Sequence, residues 1–141
     1  MKYLPTLAVV CLLIVPSVVA AQQISPNPNP AGNTITVDTF DFFNSVGFAN
    51  DGTISISEHG QLTNNGTGRI TNKGKLEIFG QLYNADKGEL INQSDAMTIQ
   101  AGGYLENAHD GTLGIGGTLT IHGSLTNHGR LNNYFNSPSL V

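Results

Sequence analysis

The sequence predicts an all-β protein: a three-sided parallel β-solenoid of about five coils. Three observations predict it. First, Gly117 to Tyr134 divides into three hexapeptides, GTLTIH, GSLTNH and GRLNNY, each with Gly first and Leu third. Second, the unit recurs back to Asn33 with one or two residues inserted between some copies, and its third position is apolar throughout, from Ile35 and Phe42 to Leu125 and Leu131. Third, the fifth position follows a slower rhythm of aliphatic, Asn, Asn. A short fixed period is the signature of stacked repeats, and it decides the architecture before any local propensity does.

Side chains alternate across a strand, so the first, third and fifth residues of a hexad share one side. Each hexad is therefore a short strand with two residues turned inward. The aliphatic–Asn–Asn rhythm makes three strands one turn, and places the coils at 33–51, 52–73, 74–94, 95–116 and 117–134. Stacking at ~4.8 Å per coil gives a body about 24 Å long. Residues at one coil position then form columns. The aliphatic column is Val37, Ile56, Ile78, Ile99 and Ile121. One Asn column is Asn44, Asn64, Asn84, Asn107 and Asn127. The other is Asn50, Asn72, Asn92 and Asn133, interrupted by Ile115. Stacked amides can pass hydrogen bonds from coil to coil, as in cross-β Asn ladders. Each such bond contributes about 1 kcal/mol, whereas an unmet buried amide costs about 1–3 kcal/mol, so the ladders set register more than they add stability. Gly recurs at the first position of most units, where a sharp corner or close backbone approach favours it.

Taken in order, the chain begins with a leader. Lys2, the apolar run Leu7 to Val15, Pro16 and the small-residue stretch Val18 to Ala21 read as a signal peptide over 1–21, cleaved before Gln22. The apolar run is shorter than the ~20 residues a membrane span needs, so contact with a membrane would come only through this segment if it stayed uncleaved. Its Cys11 is the sole cysteine, so no disulfide holds the rest together. Residues 22–32 carry Pro26, Pro28 and Pro30 and read as a Pro/Asn-rich linker or a cover for the first coil, since Pro cannot join a central strand. Residues 33–134 are the solenoid. Its first coil is rich in Phe, which can plug the hydrophobic column, and Phe43 faces outward in this register. Residues 135–141 read as a thin C-terminal tail, and three readings of that end stand: the tail folds over it, molecules stack end to end, or the chain is a piece of a longer repeat protein. The open end of a solenoid presents unpaired strand edges, which invites self-association through coil ends.

Charge excludes some partners. Lys and Arg number 6, Asp and Glu 10, and charged residues make up 11% of the chain, with no basic patch. Nucleic acid is therefore not an expected partner.

The Gly-x-Leu-x-Asn-x-Gly-x-Leu run, clearest in Gly117 to Asn133 and echoed over most of 33–134, resembles the β-helical repeats of secreted microbial surface proteins, in the style of filamentous-haemagglutinin-like adhesins and autotransporter passenger domains. The resemblance implies a secreted or cell-surface structural or adhesive role, with a surface glycan as a conceivable ligand. The uneven inserts and inward Asn also resemble the right-handed kind of helix, in line with the usual crossover preference.

Chemistry is sparse, and no catalytic, cofactor-binding or metal-binding residue is assigned. A carbohydrate-binding or carbohydrate-cleaving β-helix is the alternative function. Its best acidic cluster is Asp86 and Asp110 in successive coils, with Lys87 and Glu89 near, but two solvated corner residues are the favoured explanation. His59, His109, His122 and His128 are spread over different corners, whereas zinc needs convergent ligands. The outward row Thr34, Thr36, Thr53, Ser55, Ala96, Thr98, Thr118 and Thr120 resembles an ice-binding face, with Lys75 and Glu77 interrupting it at its middle, but Thr is also an ordinary outward strand residue. Asn65-Gly66-Thr67 and Asn92-Gln93-Ser94 match the glycosylation acceptor pattern, and the second Asn is expected inside.

Overall fold

The computed structural model describes residues 21–40 and 42–134. The signal-peptide reading thus falls outside the described residues up to position 20, as does the tail at 135–141. Among the described residues every element is a strand. A partial coil precedes the repeats and holds β1 (Gln22–Gln23). The first full coil holds β2 (Thr34–Val37), β3 (Phe42–Asn44) and β4 (Gly47–Asn50). The second holds β5 (Thr53–Ile56), β6 (Gln61–Asn64) and β7 (Arg69–Asn72). The third holds β8 (Lys75–Ile78), β9 (Gln81–Asn84) and β10 (Glu89–Asn92). The fourth holds β11 (Met97–Ile99), β12 (Tyr104–Asn107) and β13 (Thr112–Ile115). The fifth holds β14 (Leu119–Ile121), β15 (Ser124–Asn127) and β16 (Arg130–Asn133).

Strands three apart in the chain pair in parallel, giving three sheets: β2-β5-β8-β11-β14, β1-β3-β6-β9-β12-β15 and β4-β7-β10-β13-β16. The register matches the hexad phase residue for residue. Leu62 stands on Leu82, Leu105 on Leu82, and Asn84 on Asn64. Ile54, Leu76 and Met97, with Leu62, Leu82 and Leu105, are fully buried between the sheets. This is the expected three-sided solenoid, and Phe43 does face out, next to Thr63.

Both Asn columns are hydrogen-bonded ladders. Asn44 Nδ2 donates to Asn64 Oδ1 at 2.7 Å, Asn64 to Asn84 at 2.7 Å, Asn84 to Asn107 at 2.6 Å and Asn107 to Asn127 at 2.7 Å. The same nitrogens reach backbone carbonyls: Asn84 Nδ2 donates to Gly88 O at 2.9 Å and to Thr112 O at 2.9 Å. Asn therefore ties a strand end to its own corner and to the coil above. It also explains the glycine four residues on. A Cβ on Gly88 would lie 2.7 Å from Asn84 Oδ1, and one on Gly68 would lie 2.6 Å from Asn64 Oδ1. The second ladder runs Asn50 to Asn72 at 2.7 Å and Asn72 to Asn92 at 2.8 Å, then meets Ile115. Among the described residues no buried side-chain polar atom lacks a partner. Asn92 is fully buried, so its glycosylation pattern is closed off by the fold.

Residues 22–32 belong to the stack. Gln22 and Gln23 pair with Phe42 and Phe43 at the edge of a sheet. Ile24 is 1% exposed and enters the core. Asn29 bridges to Asn50 and extends the second ladder, donating to Asn50 Oδ1 at 2.6 Å and accepting from Asn33 Nδ2 at 2.6 Å. Gln23 Nε2 extends the first, donating to Asn44 Oδ1 at 2.9 Å. The segment is thus a partial sixth turn that covers the first coil. Pro is tolerated there because an outermost strand needs no donor on its free side.

Candidate functional site

The two ends of the solenoid differ. At the N-terminal end, Ile24 and Asn29 close the column and Pro26, Pro28 and Pro30 line the rim. At the C-terminal end, the last coil repeats the inward pattern with nothing described beyond it. Leu131 is 54% exposed and Ile121 46%, and Leu119 and Leu125 are only partly buried against the core. Asn127, at the top of its ladder, is exposed and turns its Nδ2 to Gly129 O. Among the described residues, core-type side chains are therefore exposed together at this end.

A second feature lies on the side formed by β4, β7, β10, β13 and β16. Outward positions there read Ala49, Thr71, Ile91, Gly114 and Asn132 along one column. Ile91 and Gly114 are the departures that matter for packing. Ile91 is an aliphatic residue facing out, yet it is 6% exposed. Gly114 lacks the side chain that would shield it. The shield comes from Tyr134, whose backbone nitrogen continues the ladder by donating to Ile115 O at 2.7 Å. Its ring lies over Gly114 and reaches toward Ile91: a Cβ at position 114 would collide with the ring and come within 2.8 Å of Ile91 Cδ1. Asn132 Nδ2 donates to the Tyr134 hydroxyl at 3.1 Å and fixes the ring's tilt. Beside this ring opens a concavity of about 530 Å³ lined by Arg69, Glu89, Ile91, Gln93, Gly116 and Tyr134. Arg69 and Glu89, adjacent in register, pair across its far wall at Nε–Oε2 3.4 Å, both roughly half exposed. Its volume falls in the range of small-molecule sites.

The sequence singled out Glu89 only as a neighbour of the corner carboxylates, and missed Arg69, Ile91, Gln93 and Tyr134 as a group. The signal available was the pair of breaks, Ile91 and Gly114, at the same outward position of successive coils.

The sequence-predicted candidates stay apart. β9 aligns Asn84 with Asn107, β10 aligns Glu89 with Thr112, and the corners between have equal length. Asp86 therefore stands beside His109, and Lys87 beside Asp110, so the two carboxylates are offset rather than facing. Asp110 Oδ1 meets His109 Nδ1 at 3.1 Å in the open. The four histidines are all exposed, and no metal-ligating cluster occurs among the described residues. On the Thr-bearing side, Lys75 Nζ and Glu77 Oε1 pair at 3.0 Å in the middle coil, next to the shorter Thr53, Ser55 and Thr98. On the third side Tyr83 and Tyr104 meet edge to face at 5.9 Å between centroids. Hydrogen bonding to Thr126 lowers the Tyr104 pKa, but Glu106 and partial desolvation outweigh it and hold the phenol above its ordinary value.

Compared with protein-family models, with curated proteins and with solved structures, the chain matches none.

Proposed function

We propose that this chain is a non-catalytic β-solenoid of the cell surface or extracellular space, with a structural or adhesive role, and that it self-associates through its C-terminal coil. The observation that carries this reading is the asymmetry of the ends: a covered N-terminal end against an open C-terminal end that exposes Leu131 and Ile121. Secretion rests on the leader-like 1–21, and the adhesive role on the repeat style.

The occupant that fits the open end is a second copy of the same coil. It offers apolar residues and strand edges of matching spacing, and burying them removes apolar surface from water at about 25 cal/mol per Å². Stacking onto the other end of a second molecule is obstructed by residues 22–32. Pairing of two C-terminal ends closes on itself as a two-fold dimer and stops there.

Light scattering of the purified chain over a concentration series tests this. A reversible monomer–dimer transition is expected, and Leu131→Lys should abolish it while leaving the melting temperature within a few degrees. A monomer at every concentration sinks the reading.

A further inference from the structure

We infer that the concavity between Tyr134 and the Arg69–Glu89 pair is a saccharide-binding site. It lies on a flank of the solenoid and does not depend on end pairing.

The lining selects the ligand class. Tyr134, a residue 49% exposed, offers a ring that packs beside Ile91, itself only 6% exposed. The Gln93 carboxamide can both donate and accept. Arg69 adds guanidinium donors and Glu89 carboxylate acceptors on the opposite wall. One apolar face with donors and acceptors around it matches a neutral pyranose, which has a C–H face and a rim of hydroxyls. An anion is disfavoured because Glu89 lies 3.4 Å from Arg69, the one cation among the described lining residues. An acyl chain is disfavoured because the apolar floor is nearly covered already, with Ile91 at 6% exposure.

The coil that forms the site departs from the repeat in a linked way. Gly114 makes room for the ring, and Ile115 interrupts the Asn ladder beside it and accepts the Tyr134 backbone hydrogen bond. A solenoid selected only for stacking would carry Asn at 115 and a small polar residue at 114, as β7 does with Thr71 and Asn72. The departures hold an aromatic ring at a fixed place on the outer surface.

The test is a glycan array of neutral, amino and acidic oligosaccharides, followed by titration of hits against the full chain. The chain has no Trp, so ligand-induced change in tyrosine fluorescence is readable. A neutral saccharide is expected to bind, with Tyr134→Ala weakening it at least about tenfold and Tyr134→Phe only a fewfold, since the ring face carries the contact. Gln93→Ala should weaken it severalfold, and Tyr83→Ala on another side should leave it unchanged. Unchanged melting of each variant separates lost contact from lost fold. Several results overturn the site: no saccharide bound; binding lost in Tyr83→Ala but kept in Tyr134→Ala; competition by inorganic phosphate; or binding only after removal of residues 135–141, which would make the chain's own tail the occupant. Light scattering on the same samples keeps this outcome distinct from that of the end-pairing reading.

Discussion

Asn84 has one nitrogen directed at Asn107 Oδ1, Gly88 O and Thr112 O, and an oxygen that accepts from Asn64 Nδ2. No other small side chain both gives and accepts in this geometry. Asn84→Asp removes the donor and buries a carboxyl, so it should cost at least about 3 kcal/mol in denaturant unfolding. Asn65→Asp, at a half-exposed corner, should cost far less. Burial raises the pKa of the introduced carboxyl, so the folded variant keeps a proton that the unfolded chain releases; the penalty should shrink in acid and grow as pH rises. Equal losses for the two variants would refute the ladder's role. At this scale the sequence was legible, because the amide and its partner four residues on, Gly88, sit in one local pattern.

A single strand of this molecule is too short to hold itself, and its place comes from the strands before and after it. β13 shows what happens when one member departs from the pattern. Its Leu113 is fully buried and keeps the core column, while Ile115, only partly buried, replaces the ladder Asn. Asn92 compensates by donating to Ser94 O at 2.8 Å and Thr118 O at 2.9 Å. Ile115→Asn should therefore be tolerated within about 1 kcal/mol, since a regained amide bond offsets lost apolar contact. Leu113→Asn should cost several kcal/mol, because it deletes a fully buried side chain and buries an amide in its place. Thermal melts of both variants would decide, and a large loss for Ile115→Asn would mean the break carries packing that the ladder cannot replace.

Across the whole molecule, every internal coil is paired on both sides, so unpaired strand edges among the described residues occur only at the first and last coils. Ile24 is the apolar residue that residues 22–32 insert over the column. Ile24→Asp should lift that cover, lower the melting temperature and expose a second sticky end. Sedimentation should then detect species larger than a dimer, which the unaltered chain should not form. If the variant melts lower but stays dimeric, the cover stabilises the fold without limiting its growth.

The sequence by itself determined the period, the inward phase, the three-sided coil and the two Asn columns. These follow from alternation within a strand and repetition between strands, both of which are written in local spacing. Tertiary structure alone decided three things. Residues 22–32 join the stack although they carry no hexad, because Ile24 and Asn29 find partners about twenty positions away. Leu131 and Ile121 are exposed although they occupy core positions, because a column residue is buried only if a coil lies on both sides of it. Tyr134 folds over Gly114 and Ile91 because three coils bring them side by side, and no periodicity within one coil encodes what its neighbour's outer surface will lack.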